Sequence, residues 1–156
     1  MKKLRTLTGV IIVSFFAACQ PGVQKGAALS RIYINYIRRL GLLAGDEHII
    51  LFDSQYKIKV SGNFFTNRRI AAYWTDENDP AKSYINYAFY PDIDSIKRRY
   101  FKVSADVSYL EVYKSDGEKF RVFVKADSAA TKCFFNSAVL MWEKRKLAAL
   151  KYTMQQ

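Results

Sequence analysis

Apolar spacing along the chain changes once near each end of a long middle stretch. Leu29, Ile32, Tyr33, Tyr36, Ile37, Leu40 and Leu43 recur at three- and four-residue intervals, which predicts an amphipathic helix over 28–43. Arg31, Asn35 and Arg38 occupy its polar side with Arg39 beside them, and Gly41 and Gly45 suit its end. From His48 onward the period drops to two or the runs become wholly apolar. His48–Phe52 and Tyr56–Val60 read as strands, with turns at Asp53–Gln55 and Ser61–Asn63. Phe64–Thr66 with Arg69–Trp74, then Ser83–Phe89, Asp92–Ile96 and Tyr100–Val103, read as further strands, and 76–80 (DENDP) as a loop. Tyr109–Tyr113 and Phe120–Val124 flank Ser115-Asp116-Gly117-Glu118, a hairpin signal. A last helix starts at a cap of Asp127 or Ser128 and runs to about Leu150, with Phe135, Ala138, Val139 and Trp142 as its apolar stripe. Lys144, Arg145 and Lys146 lie near its C-terminus, where positive charge suits the helix dipole.

The first residues follow a different grammar. Lys2, Lys3 and Arg5 precede the apolar run Leu7–Phe16, and Ala17-Ala18 place small residues before Cys19. The run is too short to span a bilayer, which needs about 20 apolar residues. Phe16-Ala17-Ala18-Cys19 resembles the lipobox of bacterial lipoproteins, with Phe where Leu is commoner. The resemblance implies removal of 1–18 and acylation, including palmitate, of Cys19. Gln20 after that Cys implies sorting to the outer membrane, as in enteric-type lipoproteins. Each chain then adds about 0.8 kcal/mol per buried methylene. Residues 20–26 (QPGVQKG) read as a flexible linker, so the tether spans 19–27, and seven residues reach at most about 25 Å. The rest, 28–156, is long enough for one domain.

Composition narrows the classes. Half of the 156 residues are apolar and 15% aromatic, which excludes a disordered chain. The formal charge is +11, and loss of Lys2, Lys3 and Arg5 leaves +8. That balance attracts anionic headgroups, lipopolysaccharide, nucleic acid or an acidic protein; for an exported chain nucleic acid is the least available. Of two cysteines, a lipidated Cys19 leaves Cys133 without a partner in the chain, so it reads as a buried, inert thiol.

The middle stretch carries a second resemblance. Asp46-Glu47-His48-Ile49-Ile50, then 62–73 (GNFFTNRRIAAY), then 90–96 (YPDIDSI) resemble, in order and spacing, segments of bacterial pleckstrin-homology-like and GRAM-like domains. Coverage is roughly 46–145. The resemblance implies an α+β fold: an antiparallel partly open β-barrel or sandwich closed by a C-terminal helix, here preceded by the N-terminal helix. It implies a non-catalytic role in recognising membrane lipid or protein. The family positions matched are mainly structural, so Thr66 and Arg69 are not taken as ligand residues. The family's long basic loop is replaced by Asp53-Ser54-Gln55, which leaves Lys57 and Lys59 on one face of the second strand and argues against phosphoinositide-type binding.

Little chemistry stands out. His48 is the sole histidine, and no nucleophile arrangement can be built around it. The acids at 76–79 lack the spacing of a calcium loop, and no zinc-ligand or phosphate-loop motif occurs. No catalytic residue, metal or cofactor is expected. Lys57, Lys59, Lys97, Arg98 and Arg99 are the candidate contacts for an anionic partner. The expectation is a lipid-anchored envelope module on the periplasmic face of the outer membrane, binding anionic lipid or an envelope protein. The alternative is an accessory or exclusion-type surface lipoprotein, and behind it an envelope hydrolase.

Overall fold

The computed structural model describes residues 22–101 and 107–153. The expected leader at 1–18 and the expected acceptor Cys19 lie outside them. Eight strands among the described residues form two antiparallel sheets. The first has the order β1 (Val23–Lys25), β2 (Ile49–Asp53), β3 (Ser61–Thr66), β4 (Arg69–Trp74), β5 (Tyr84–Phe89). The second comprises β6 (Ile93–Arg99), β7 (Ser108–Lys114) and β8 (Lys119–Val124). Helix α1 is Arg31–Arg39 and helix α2 is Ser128–Thr153. No helix among the described residues is long and apolar enough to cross a membrane.

Strands β3 and β4 at the centre of the first sheet are buried on both faces, which explains why β4 reads as an apolar run rather than an alternation. Ile37 of α1 packs with Leu42, Phe52, Phe64, Ala71 and Tyr73 on one face. On the other, Leu51, Phe65, Ile70 and Ala72 meet Leu110, Val112 and Val122 of the second sheet and Phe134, Phe135 and Ala138 of α2. Phe65 and Phe134 stack edge to face at 5.2 Å. Asp127 Oδ1 accepts the Ala130 N–H at 2.8 Å and caps α2. Trp142 Nε1 donates to the Ile93 carbonyl at 3.3 Å, so the helix stripe closes onto the start of β6.

The sheets do not close into a barrel. After β5 a 3-10 turn at Tyr90–Asp92 carries the chain from one sheet to the other. Tyr90 is buried there, with its hydroxyl donating to the Thr66 carbonyl at 2.6 Å, and Pro91 has no N–H to continue a ladder. Along the opposite seam, side chains replace strand pairing. Asn63 Oδ1 accepts the Phe123 N–H at 2.9 Å, and Asp53 Oδ2 accepts the Lys125 N–H at 3.0 Å.

Three local readings are corrected. Residues 56–60 are a turn and not a strand: the Val60 and Ser61 amides both donate to the Lys57 carbonyl, at 2.8 and 2.9 Å. Ser54 Oγ donates to the carbonyls of Tyr56 and Ser61 and holds the turn shut. Ser61–Asn63, expected as a turn, opens β3. Gly62 serves a close approach: a Cβ there would lie 2.4 Å from the Tyr73 ring. The flexible linker is also shorter than expected, because Val23–Lys25 pair with Leu51–Asp53 as β1. Val23 enters the core, and a Cβ on Gly26 would meet the Ile49 carbonyl oxygen at 1.9 Å, so that glycine serves packing rather than flexibility.

Candidate functional site

Strand register assembles the site. In β6–β7 Lys97 faces Glu111 and Arg99 faces Tyr109; in β7–β8 Glu111 faces Arg121, Tyr109 faces Phe123 and Tyr113 faces Lys119. Directly paired residues share a face, so these side chains form the outer surface of the second sheet. The intervening positions Leu110, Val112, Phe120, Val122 and Val124 enter the core.

Glu111 is the centre of that surface, with its side chain only 8% exposed. Tyr113 Oη donates to Glu111 Oε2 at 2.8 Å. Arg99 Nη2 lies 3.7 Å from the carboxylate, and Lys119 Nζ and Arg121 Nε each 3.9 Å. The Tyr113 hydrogen bond and the Lys119, Arg99 and Arg121 charges hold the Glu111 carboxyl below its ordinary range. These cations keep half or more of their side-chain surface exposed, and their distances are too long for hydrogen bonds. Aromatic faces support them instead. Lys97 Nζ is 4.6 Å and Lys119 Nζ 5.8 Å from the Tyr113 ring centre, and the Arg121 guanidinium is 4.8 Å from that of Tyr109. Tyr109 in turn meets Phe123 edge to face, with ring centres 5.5 Å apart. Three cations thus ring a single carboxylate and Lys97 stands beside them over the Tyr113 ring, leaving three positive charges without an acidic partner in this cluster.

The five residues expected to meet an anionic partner are not brought together. Lys97 and Arg99 belong to this face. Arg98 alternates onto the row of Leu110. Lys57 and Lys59 lie in the turn before β3, where Tyr36 Oη donates to the Lys59 carbonyl at 2.8 Å on the α1 side of the first sheet. Lys119, Arg121, Tyr113 and Glu111 were missing from the sequence reading. Their signal was the alternation of Lys119, Arg121 and Phe123 with buried Phe120, Val122 and Val124.

The motif residues of the resemblance do other work. Arg69 clamps Glu47 through both carboxylate oxygens, Nε–Oε1 at 2.9 Å and Nη2–Oε2 at 2.7 Å. Thr66 Oγ1 donates to Glu47 Oε1 at 2.6 Å and accepts the Arg68 and Arg69 amides, which ties the β3–β4 turn. Burial pushes the Glu47 carboxyl up, but the hydrogen bonds from Arg69, Thr66 and the Ala44 amide outweigh it and leave the carboxyl below its usual range. His48 is exposed; its N–H donates to Asn67 Oδ1 at 3.1 Å and its carbonyl accepts the Asn67 N–H at 3.2 Å. Asp76 and Asp79 use their carboxylates on the amides of Asn78, Asp79 and Ala81. No cluster of three metal-ligating side chains occurs among the described residues. Cys133 is a free thiol, half-buried against the core.

No family model matches the chain. No curated protein matches it either. Among solved structures it is similar to a DUF1696 family protein with a pleckstrin-homology domain from Shewanella loihica PV-4. Identity is 14% and the TM-score 0.48, over 70% of this chain and 92% of that one.

Proposed function

We propose that the outer face of the second sheet binds anionic lipid headgroups, and that the chain is a non-catalytic, lipid-anchored module of the bacterial cell envelope. The observation that carries the reading is the surplus of exposed cations around Glu111. An open face with loosely held, half-exposed cations fits a charged surface better than one small ligand. The pleckstrin-homology-like reading of two packed sheets and a C-terminal helix agrees with such a role. The lipobox at 16–19 supports the anchor. Cys19 stands four residues before Val23, the first residue of β1, a reach of at most about 14 Å. An acylated Cys19 would keep the platform beside headgroups.

The test uses the chain with Cys19→Ser, so that an acyl anchor does not mask the face. Binding to phosphatidylcholine vesicles with and without phosphatidylglycerol is followed by co-sedimentation. Binding is expected only with phosphatidylglycerol and to fall as salt rises. Each of Lys97→Ala, Arg99→Ala, Lys119→Ala and Arg121→Ala is expected to weaken it by about 1 kcal/mol, or about fivefold. Salt-insensitive binding, or a quadruple variant that binds like the parent, would refute the reading. Mass spectrometry of the chain from its producing cell tests the anchor separately.

A further inference from the structure

The free edge of β8 crosses the first sheet from β2 toward β5, and one register row of that sheet faces it. Asp53, Asn63, Ala72 and Asn86 stand opposite one another in β2, β3, β4 and β5. Along β8, backbone N–H groups point to the free edge at every second residue: Lys125, Phe123, then Arg121. Asp53 accepts the first and Asn63 the second. At the third rung the row holds Ala72, whose side chain has no oxygen, and the Arg121 N–H has no acceptor among the described residues.

A cleft of about 310 Å³ opens there, between β8 and the start of β5. Lys119 and Arg121 line one wall, Tyr84 and Asn86 the other, and Glu111 also borders it. Tyr84 and Asn86 share the face of Ala72, which looks toward the second sheet. Among the described residues the Tyr84 hydroxyl, the Asn86 amide, the Lys119 ammonium and the Arg121 guanidinium make no hydrogen bond, and the two cations stand 3.9 Å from Glu111. Burial holds the Tyr84 hydroxyl above its ordinary range, so it stays a neutral donor. Donors from both walls therefore converge on one cavity.

We propose that this cleft seats one phosphodiester group, whose oxygens fill the empty rung at the Arg121 N–H and accept from the side chains of Arg121, Lys119, Asn86 and Tyr84. Donors on opposing walls suit a tetrahedral oxoanion, whose oxygens point apart, better than a planar carboxylate. Charge selects the ester class. Lys119 and Arg121 against Glu111 leave one positive charge in the lining, which a phosphodiester monoanion balances and a dianionic monoester exceeds. The cleft shares Asn86, Lys119 and Phe120 with a larger groove of about 580 Å³ along β5, so an ester arm has room to leave. This seat deepens the headgroup reading and rests on it for the source of the group: a lipid of the facing surface, or else a soluble glycerophosphodiester.

Nitrogen-15 NMR of the full chain with Cys19→Ser tests the seat directly. The probe is glycerophosphoglycerol, the headgroup of phosphatidylglycerol without its acyl chains. The Arg121 backbone amide and the Asn86 side-chain amide should shift together and saturate with a Kd of about 1 mM. Acetate at equal ionic strength should leave both in place. Tyr84→Phe and Asn86→Leu change no charge, and each should raise that Kd about fivefold. An Arg121 amide that stays in place, that moves as far with acetate, or whose titration neither variant alters would overturn the inference. Vesicles containing phosphatidylglycerol then identify the source. If a membrane lipid fills the seat, both variants weaken vesicle binding about fivefold while its salt dependence is unchanged. If both bind vesicles like the parent while glycerophosphoglycerol still saturates Arg121, the seat belongs to a soluble ester. A parent that ignores vesicles but keeps the Arg121 titration refutes the headgroup platform and supports the seat in its soluble form.

Discussion

Glu47 and Glu111 are both shielded carboxylates in arginine-containing surroundings, and the fold treats them in opposite ways. Glu47 meets a single guanidinium in a bidentate clamp, with Thr66 Oγ1 and the Ala44 amide completing its hydrogen bonds. Nothing of that pair is left for a ligand. Glu111 lies within 3.9 Å of three cations on an outer face that carries Lys97 as a fourth, and it forms its hydrogen bond with a tyrosine. The difference is one of stoichiometry and geometry rather than residue type. A closed pair organises the β3–β4 turn, while an outnumbered carboxylate spaces cations apart and leaves their charge facing solvent. Counting arginines in the sequence cannot distinguish these uses.

The sharpest way to break the contrast is at the closed pair. Arg69→Ala should destabilise the fold by about 3–5 kcal/mol in urea unfolding, because Glu47 is left buried without a partner. The double variant Glu47→Leu with Arg69→Met should recover much of that loss. If the double variant is as unstable as the single, the clamp contributes more than charge compensation.

Asp53 is the next largest effect, as a third buried carboxylate with no cation clamped to it. Burial pushes its carboxyl up to about 6, against the opposing Lys125 amide, and its Oδ1 has no hydrogen-bond partner among the described residues. The folded pKa exceeds the unfolded one, so the native state binds the extra proton between them. Asp53 therefore stabilises the fold least above pH 6, and stability is gained as pH falls from about 6 toward the ordinary carboxylate value. Glu47 and Glu111, held low, contribute stability that is lost on acidification, so the total profile mixes both signs. The difference between parent and Asp53→Asn isolates the Asp53 part. It should change by on the order of 2 kcal/mol between pH 4 and pH 7, measured by urea titrations at each pH.

At the open cluster the expected effects are smaller and fall on binding. Glu111→Gln removes the single anion among four cations and should tighten vesicle association by about 1 kcal/mol, with a steeper salt dependence. Weaker association would mean that Glu111 is needed to position the cations more than it opposes the lipid. Last, Arg68→Ala breaks an exposed pair with Asp46 and should change stability by less than about 1 kcal/mol in thermal unfolding. That outcome would separate Arg68 from its neighbour Arg69 despite their adjacency.

Legibility followed physical cause. The regions of β4, β5, β7 and β8 showed in the sequence because β-branched and aromatic residues stand there in strand-length runs between turn signals. The 56–60 turn did not, since Tyr-Lys-Ile-Lys-Val alternates like a strand while Ser54 and the Lys57 carbonyl fold it into a turn. β1 is too short to display a period, and the glycines around it read as linker signals although Gly26 is packed against Ile49. The candidate face was half visible. Lys97 and Arg99 stand out as a run in β6, yet Glu111, Lys119 and Arg121 join them only through pairing across three strands, and no local pattern encodes that register. Arg98, in the same run, turns to the other row.

The order of the first sheet has a consequence for how the chain reaches its final form. Every strand from β1 to β5 lies beside its immediate successor in sequence, a meander with no crossover. Apart from β1, which residues 26–48 with α1 separate from β2, neighbouring strands close short loops, so their contacts cost little chain entropy and form early. A polypeptide delivered N-terminus first can zip this sheet up hairpin by hairpin, while the second sheet and α2 dock onto a scaffold already in place.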